Sequence, residues 1–203
     1  MACRSTGKRR SRARRRSLRT VPGVALADLD RDTLVFARTR GHDPGVERVV
    51  ALYSRLGEHA ACWLALGLLG AAVTPDTGRR RCWLRGVRIV AGAYGMNQAI
   101  KFAVRRRRPQ LDGLPPLTPV VTRLSFPSAH ATTSFAAARA YRRLAPAWLL
   151  YLAAGAFAFS RPYLGVHYPS DVVAGAVLGT AVAELWPGAD AVGAGAGAAP
   201  RTA

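Results

Sequence analysis

Between Val24 and Gly57 the chain (VALADLDRDTLVFARTRGHDPGVERVVALYSRLG) mixes apolar and charged positions at helical spacing. Asp28, Asp30, Asp32, Arg38 and Arg40 lie too close together for a membrane-spanning segment. The pattern predicts one or two amphipathic helices suited to a membrane interface. Beyond residue 58 the character changes. His59–Val73 is nearly uncharged, and Gly86–Val104 is apolar apart from Arg88, Asn97, Gln98 and Lys101. Pro146–Ser160 is uncharged, Asp171–Trp186 carries charge only near its ends, and His130–Leu144 between them is rich in alanine and other small residues. A span takes about 20 apolar residues, and several of these stretches are shorter, which leaves a soluble bundle of buried helices as a competing reading. Yet they show little amphipathic stripe and carry many Gly and Ala, as close-packed membrane helices do. The favoured expectation is an all-α membrane bundle of about five transmembrane helices.

Charge sharpens this division. The chain has 203 residues, 50% hydrophobic, with 30 Lys+Arg against 11 Asp+Glu for a net charge of +19. Basic and apolar residues must therefore be segregated along the chain. Arg4, Lys8, Arg9, Arg10, Arg12, Arg14, Arg15, Arg16 and Arg19 fall in the first twenty residues, with no acid among them. Such a run repels itself and predicts a disordered basic tail over 1–20, lying near anionic lipid. No apolar stretch follows it, so it is not a secretory signal, and no aromatic is interleaved for base stacking, which disfavours nucleic acid as a partner. The expected organisation is that tail, interfacial helices over 21–57, a membrane domain over 58–187 and a Gly/Ala-rich tail over 188–203. Cys3, Cys62 and Cys82 form neither a metal-ligand spacing nor an even set, which argues against a zinc module or disulfide scaffold.

Three clusters at helix ends carry the chemistry. In Lys101-Phe-Ala-Val-Arg-Arg-Arg-Arg108-Pro109, Lys101 and Arg108 are seven apart and share a face if the helix continues, while Pro109 biases Arg108 out of the helix. Two such cations suit a phosphate. In Phe126-Pro127-Ser128-Ala129-His130, Pro and Ser are helix-start residues, and a first helical turn presents free N–H groups to an anion. In Ser160-Arg161-Pro162-Tyr163-Leu164-Gly165-Val166-His167-Tyr168-Pro169-Ser170-Asp171, His167 and Asp171 are four apart. A carboxylate on one ring nitrogen would fix the tautomer and leave the other as a nucleophile or base. Each cluster alone also has an ordinary reading, as a topological anchor, a capping residue or a structural histidine.

Taken together and in order, Lys-x6-Arg-Pro, Pro-Ser-x-His and Ser-Arg-x5-His-x3-Asp resemble the type 2 phosphatidic acid phosphatase (PAP2) superfamily over about residues 58 to 187. The one departure is Ala129, where glycine is commonest; that position supplies a backbone N–H, which alanine also has. The resemblance implies a phosphatase that needs neither metal nor cofactor and works through a phosphohistidine. His167 would attack phosphorus, Asp171 would orient it, and His130 would protonate the leaving oxygen and then activate water. Lys101, Arg108, Ser128, Arg161 and the Ala129 N–H would cradle the remaining phosphate oxygens. Soluble acid phosphatases and haloperoxidases share these motifs but rank second, for want of uninterrupted apolar helices.

Among membrane members, Gly57-Glu58-His59 before a Trp63-containing helix, with the second and third motifs, resembles an actinobacterial branch. That branch removes a phosphate from a polyprenyl-linked sugar phosphate in cell-wall arabinan precursor synthesis. Phosphatidic acid, phosphatidylglycerophosphate and polyprenyl diphosphate remain alternatives, and a non-catalytic anionic-lipid or nucleic-acid binder is the alternative of another class. With five spans, the site and the basic tail share one face, so the positive-inside rule expects a multi-pass plasma-membrane protein with a cytoplasmic site.

Overall fold

The structure, a computed structural model, describes residues 22–187, so both tails lie outside it. Among the described residues the regular elements are all helical: α1 (Pro22–Thr39), α2 (Pro44–Leu56), a single 3-10 turn (Glu58–Ala60), α3 (Ala61–Val73), α4 (Thr77–Val104), α5 (Ala129–Tyr141), α6 (Ala147–Tyr163) and α7 (Pro169–Leu185). Residues 24–56 thus form two helices, and the five apolar stretches become α3 to α7.

Local chemistry sets the boundaries. Asp43 caps α2, its Oδ1 accepting from the Gly45 N–H at 2.7 Å, with Pro44 in the first turn. Asp76 caps α4 in the same way through the Arg79 N–H at 2.6 Å. Pro169 opens α7, and the N-cap there is Tyr168 rather than Ser170 or Asp171. Asp171 sits one turn in, and its Oδ2 accepts the Tyr168 N–H at 2.9 Å.

α5 is the central helix, packed against α4, α6 and α7. Its residues from His130 to Ser134, Ala136 to Ala138 and Tyr141 are buried, which accounts for its small side chains. α7 approaches so closely that a Cβ on Gly179 would overlap the Thr132 carbonyl, so only glycine fits there. Trp63, Trp83, Tyr141 and Phe157 form the main aromatic core. The Trp63 indole N–H donates to Ser134 Oγ at 2.8 Å, and the Tyr141 hydroxyl donates to the Trp63 carbonyl at 3.2 Å.

Among the described residues no single helix is long and apolar enough to cross a membrane; the bent pair Pro44–Leu56 and Glu58–Val73, inclined by 48°, passes that test together. Helix lengths explain this. α3 and α5 have 13 residues each, about 20 Å at 1.5 Å per residue, against a hydrocarbon layer of about 30 Å. α4 is long enough at 28 residues, but Arg79, Arg80, Arg81, Arg85 and Arg88 fill its first half.

α4 ends where its apolar stretch ends and does not continue to Arg108. The helix stops at Val104, and Arg105 turns left-handed (φ 55°), its N–H closing on the Lys101 carbonyl at 3.0 Å. Lys101 and Arg108 therefore do not share a helical face. They meet because the 105–128 link folds back, with Arg108 N–H bonded to the Arg123 carbonyl and Ser125 N–H to that of Arg106.

Candidate active site

A cavity of about 280 Å³ opens where α4 and α6 end and α3, α5 and α7 begin. Lys101, Arg108, Ala129, His130, Arg161 and His167 all line it. The fold thus gathers residues from three separate motifs onto one wall. The other two sequence candidates stand behind that wall. Asp171 is fully buried beneath His167, and Ser128 is fully buried with its Oγ lacking a partner among the described residues.

His167 is held at both nitrogens. Arg108 Nη1 lies 3.0 Å from Nε2. A guanidinium only donates, so Nε2 presents its lone pair and the ring proton sits on Nδ1. Nδ1 faces Asp171 Oδ2 at 3.5 Å, longer than a good hydrogen bond, and has no other partner among the described residues. Burial and then the cations Arg108, Arg161 and Lys101 push the proton affinity of His167 well below the ordinary imidazole range. The ring is accordingly neutral at neutral pH, with its lone pair in a cationic cavity.

Arg108 is itself fixed by the 105–128 link and the α6–α7 turn. Its Nε donates to the Thr122 carbonyl and its Nη1 to the Val166 carbonyl, each at 2.7 Å. Burial pulls its pKa down to about 10, opposed by Asp171, which still leaves it charged at pH 7. Across the cavity, His130 Nε2 lies 2.9 Å from the Ser54 carbonyl. A carbonyl only accepts, so Nε2 carries the proton and Nδ1 is left for proton exchange. Ser54 Oγ in turn accepts from Arg161 Nη1. One buried residue of α2 thereby sets both a histidine and an arginine. Gly57 permits this approach, because a Cβ there would come within 2.8 Å of the His130 ring and 2.9 Å of Phe157.

Asp171 Oδ1 accepts from Arg106 Nη1 at 2.8 Å, and Arg106 Nη2 reaches Asp30 Oδ2 on α1 at 2.7 Å. Burial alone would raise the Asp30 carboxyl, but hydrogen bonds from Ser170 and Arg106 outweigh it and hold the group below its ordinary range. Asp30, Ser54 and Arg106 escape sequence reasoning for definite reasons. Arg106 is one of four consecutive arginines, and Ser54 and Asp30 lie in an amphipathic stretch with no local mark of a site. Asn97, within an apolar run, is another: its Nδ2 donates to the Pro127 carbonyl at 3.2 Å and to Thr132 Oγ1 at 2.9 Å, pinning the turn that opens α5.

Beside the cations the cavity wall carries Glu58, His59, Tyr94 and Gln98, and its outer lip is Phe102, Val120 and Val121. Tyr94 OH bonds His59 Nδ1 at 2.8 Å. Phe102 and Val121 are largely exposed, at 62% and 77%. The cavity therefore grades from cationic floor through polar wall to apolar lip.

Known proteins resemble this chain in sequence and fold. A decaprenylphosphoryl-5-phosphoribose phosphatase of Mycobacterium tuberculosis is 40% identical over 152 residues, covering 75% of this chain and 83% of that protein. The enzyme of the same name from Mycolicibacterium smegmatis is 42% identical over 135 residues, covering 65% and 72%. Two solved structures share the fold. The transmembrane PAP2 type phosphatidylglycerolphosphate phosphatase of Bacillus subtilis has a TM-score of 0.63 at 22% identity, covering 79% of this chain and 84% of that one. Aquifex aeolicus LpxE has a TM-score of 0.62 at 20% identity, covering 77% and 93%. Residues 84–189, which contain all three motifs, match the PAP2 superfamily. With motifs, fold and relatives in agreement, the chain belongs to the PAP2 superfamily of phosphatases.

Proposed function

We propose that this protein is a multi-pass membrane phosphatase that hydrolyses the phosphomonoester of a polyprenyl-linked sugar phosphate, decaprenylphosphoryl-5-phosphoribose, through a phosphohistidine. The observation that carries this reading is the lone-pair Nε2 of His167, facing Arg108 in a cation-lined cavity with Asp171 behind it. Nε2 attacks phosphorus while Lys101, Arg108, Arg161 and the N–H groups at the start of α5 take up the charge spread over the phosphate oxygens. Asp171 stabilises the positive ring that forms. The P–O bond to the sugar breaks as His130, which enters this step as the imidazolium with a second proton on Nδ1, gives that proton to the departing oxygen. Water then attacks the phosphohistidine, giving its proton to His130, and the N–P bond breaks to release inorganic phosphate.

The substrate assignment draws on the names of the curated relatives and on the polar wall. Glu58, His59, Tyr94 and Gln98 line the same cavity as the cations and the apolar Phe102, Val120 and Val121, and offer polar groups to the hydroxyls of a substrate bound there by its phosphate. A glycerolipid phosphate offers such a wall little to bond.

Membrane residence is supported by the outward faces of the peripheral helices. Leu68 and Leu69 of α3, Met96 and Phe102 of α4, Leu152 and Phe159 of α6, and Val173 and Val177 of α7 are all exposed. So continuous an apolar surface is out of place in water. Central α5, enclosed by its neighbours, needs no lipid-facing side chains. In this reading α3 to α7 are the five spans, and α1 and α2 lie at the interface on the cavity side. The 1–20 segment then sits on the cytoplasmic side, with the active site.

The test is phosphate release by purified protein, in detergent with EDTA, from decaprenylphosphoryl-5-phosphoribose, phosphatidic acid and polyprenyl diphosphate. Strong preference for the first is expected, together with an alkali-stable, acid-labile phosphoprotein that His167→Asn abolishes. Equal activity on phosphatidic acid would overturn the substrate assignment alone. Full activity of His167→Asn would overturn the mechanism.

A further inference from the structure

The segment matched to the superfamily begins at residue 84, yet a carboxylate of α1 is built into the site. Asp30 is 7% exposed, on the one face of α1 that also buries Leu34 and Arg38 against the bundle. Its Oδ1 accepts the Ser170 N–H at 2.8 Å, and its Oδ2 accepts from both the Ser170 hydroxyl and Arg106 Nη2. Arg106 is thereby fixed on every side. Nη2 is held by Asp30, Nη1 reaches Ser170 Oγ at 2.7 Å and Asp171 Oδ1 at 2.8 Å, and the Tyr168 ring lies 4.1 Å beneath the guanidinium carbon.

We propose that Asp30 is a positioning residue: by engaging one nitrogen of Arg106, it sets how Arg106 grips Asp171 and so how Asp171 faces His167. The inference rests on the roles proposed above for His167 and Asp171.

The argument is one of geometry and charge. Asp171 has two oxygens with separate duties: Oδ1 takes Arg106, while Oδ2 takes the Tyr168 N–H and faces His167 Nδ1. A guanidinium free of Asp30 has a second N–H to offer, and the stable geometry of Arg with a carboxylate is two parallel bonds to both oxygens. Arg106 would then compete with His167 for Oδ2. Asp30 prevents this by occupying Nη2. It also balances the charge: one guanidinium between two carboxylates leaves Asp171 only partly neutralised and able to stabilise the positive ring that forms as His167 attacks.

The bland alternative is that Asp30 merely ties α1 to the bundle. α1 has a second tether for comparison. Arg38 donates through Nη2 to the Pro115 carbonyl at 2.8 Å and through Nη1 to that of Tyr163 at 3.4 Å, and it touches none of the groups around Asp171.

The experiment measures kcat and KM for phosphate release from decaprenylphosphoryl-5-phosphoribose by the full chain in detergent. The variants are Asp30→Asn, Asp30→Glu, Arg106→Gln, Arg38→Gln and Asp171→Asn, each checked for thermal unfolding. Asp30→Asn and Arg106→Gln should lower kcat about tenfold or more with KM within about twofold, as loss of a group that orients another costs. Asp30→Glu should recover part of that loss, and Arg38→Gln should leave kcat unchanged. Adding Asp30→Asn to Asp171→Asn should cost nothing further. Normal kcat in Asp30→Asn, or an equal loss in Arg38→Gln, would overturn the inference. If Asp30→Asn fails to fold, Arg106→Gln answers the same question through the other partner. Full turnover in Asp171→Asn would instead sink the catalytic reading beneath it, so the two failures are distinguishable.

Discussion

At the residue scale, the site is a set of buried groups whose partners fix which atom carries a proton. His167 is neutral because burial and the surrounding cations oppose its protonation. The sign of the consequence follows from linkage. An unfolded chain takes up a proton at this histidine near pH 6.5, and the folded protein refuses it until the pH is well below that value. Unfolding therefore binds a proton in that window, and stability falls as pH drops below about 6.5. Thermal unfolding in detergent at pH 7.5 and pH 5 should show this loss, and His167→Gln should flatten it. An unchanged slope in the variant would mean that other groups carry the acid sensitivity. In activity, the acid limb of kcat/KM attributable to His167 should likewise lie below the ordinary imidazole range. The polar wall makes a separate prediction. Glu58→Ala and Tyr94→Phe should raise KM for the ribose phosphate severalfold and leave phosphatidic acid hydrolysis alone, because each removes a hydrogen-bonding group that only a sugar would use. Equal effects on both substrates would place these residues in general architecture instead.

At the element scale, two glycines of similar sequence setting have opposite tasks. Gly179 lies where α7 meets the α5 backbone, so Gly179→Ala must push the helices apart and should destabilise by about 1–3 kcal/mol. Gly155 on α6 has nothing within 4 Å of a built Cβ. Gly155→Ala should be neutral or stabilising by up to about 1 kcal/mol, through helix propensity alone. Thermal unfolding of the two variants side by side tests whether the α5–α7 seam holds the cavity end of the bundle together. The same contrast shows what the chain made legible. The five apolar stretches and the motifs at their ends were readable because helix periodicity, proline boundaries and motif spacing are local. The fold-back that brings Arg108 to Lys101 was not, since it depends on the distant Arg123 and Val166 carbonyls. Nor could Arg106 be separated from Arg105 and Arg107. What distinguishes it is a carboxylate 76 residues away on α1.

At the scale of the whole molecule, orientation in the bilayer rests on a close contest of charge. One end of the bundle carries the cavity, the 105–128 link and α1. The other carries Arg79, Arg80, Arg81, Arg85, Arg88, Arg139, Arg142 and Arg143, from the start of α4 and the α5–α6 link. α4 runs from one end to the other over 28 residues, about 42 Å, and in the membrane reading proposed above the two ends face opposite sides of a bilayer. Lys and Arg in short segments decide which side is cytoplasmic, whereas Asp and Glu contribute little. Counted that way, Arg31, Arg38, Arg40, Arg48 and Arg55 of α1, α2 and the turn between them, with Arg105–Arg108 and Arg123, barely outnumber the arginines of the far end. In the proposed orientation, the nine basic residues of the 1–20 segment would tip the balance toward a cytoplasmic cavity end. Two probes test this in a background with Cys3, Cys62 and Cys82 replaced by alanine: Pro75→Cys, exposed between α3 and α4, and Pro116→Cys, exposed in the 105–128 link. An impermeant maleimide applied to intact cells should label Cys at 75 and reach Cys at 116 only after permeabilisation; the reverse pattern would invert the topology. Deleting residues 1–20 should then yield a mixed population in which both probes are partly labelled from outside. Unchanged labelling after the deletion would assign orientation to the helices themselves and leave the basic segment free for another task.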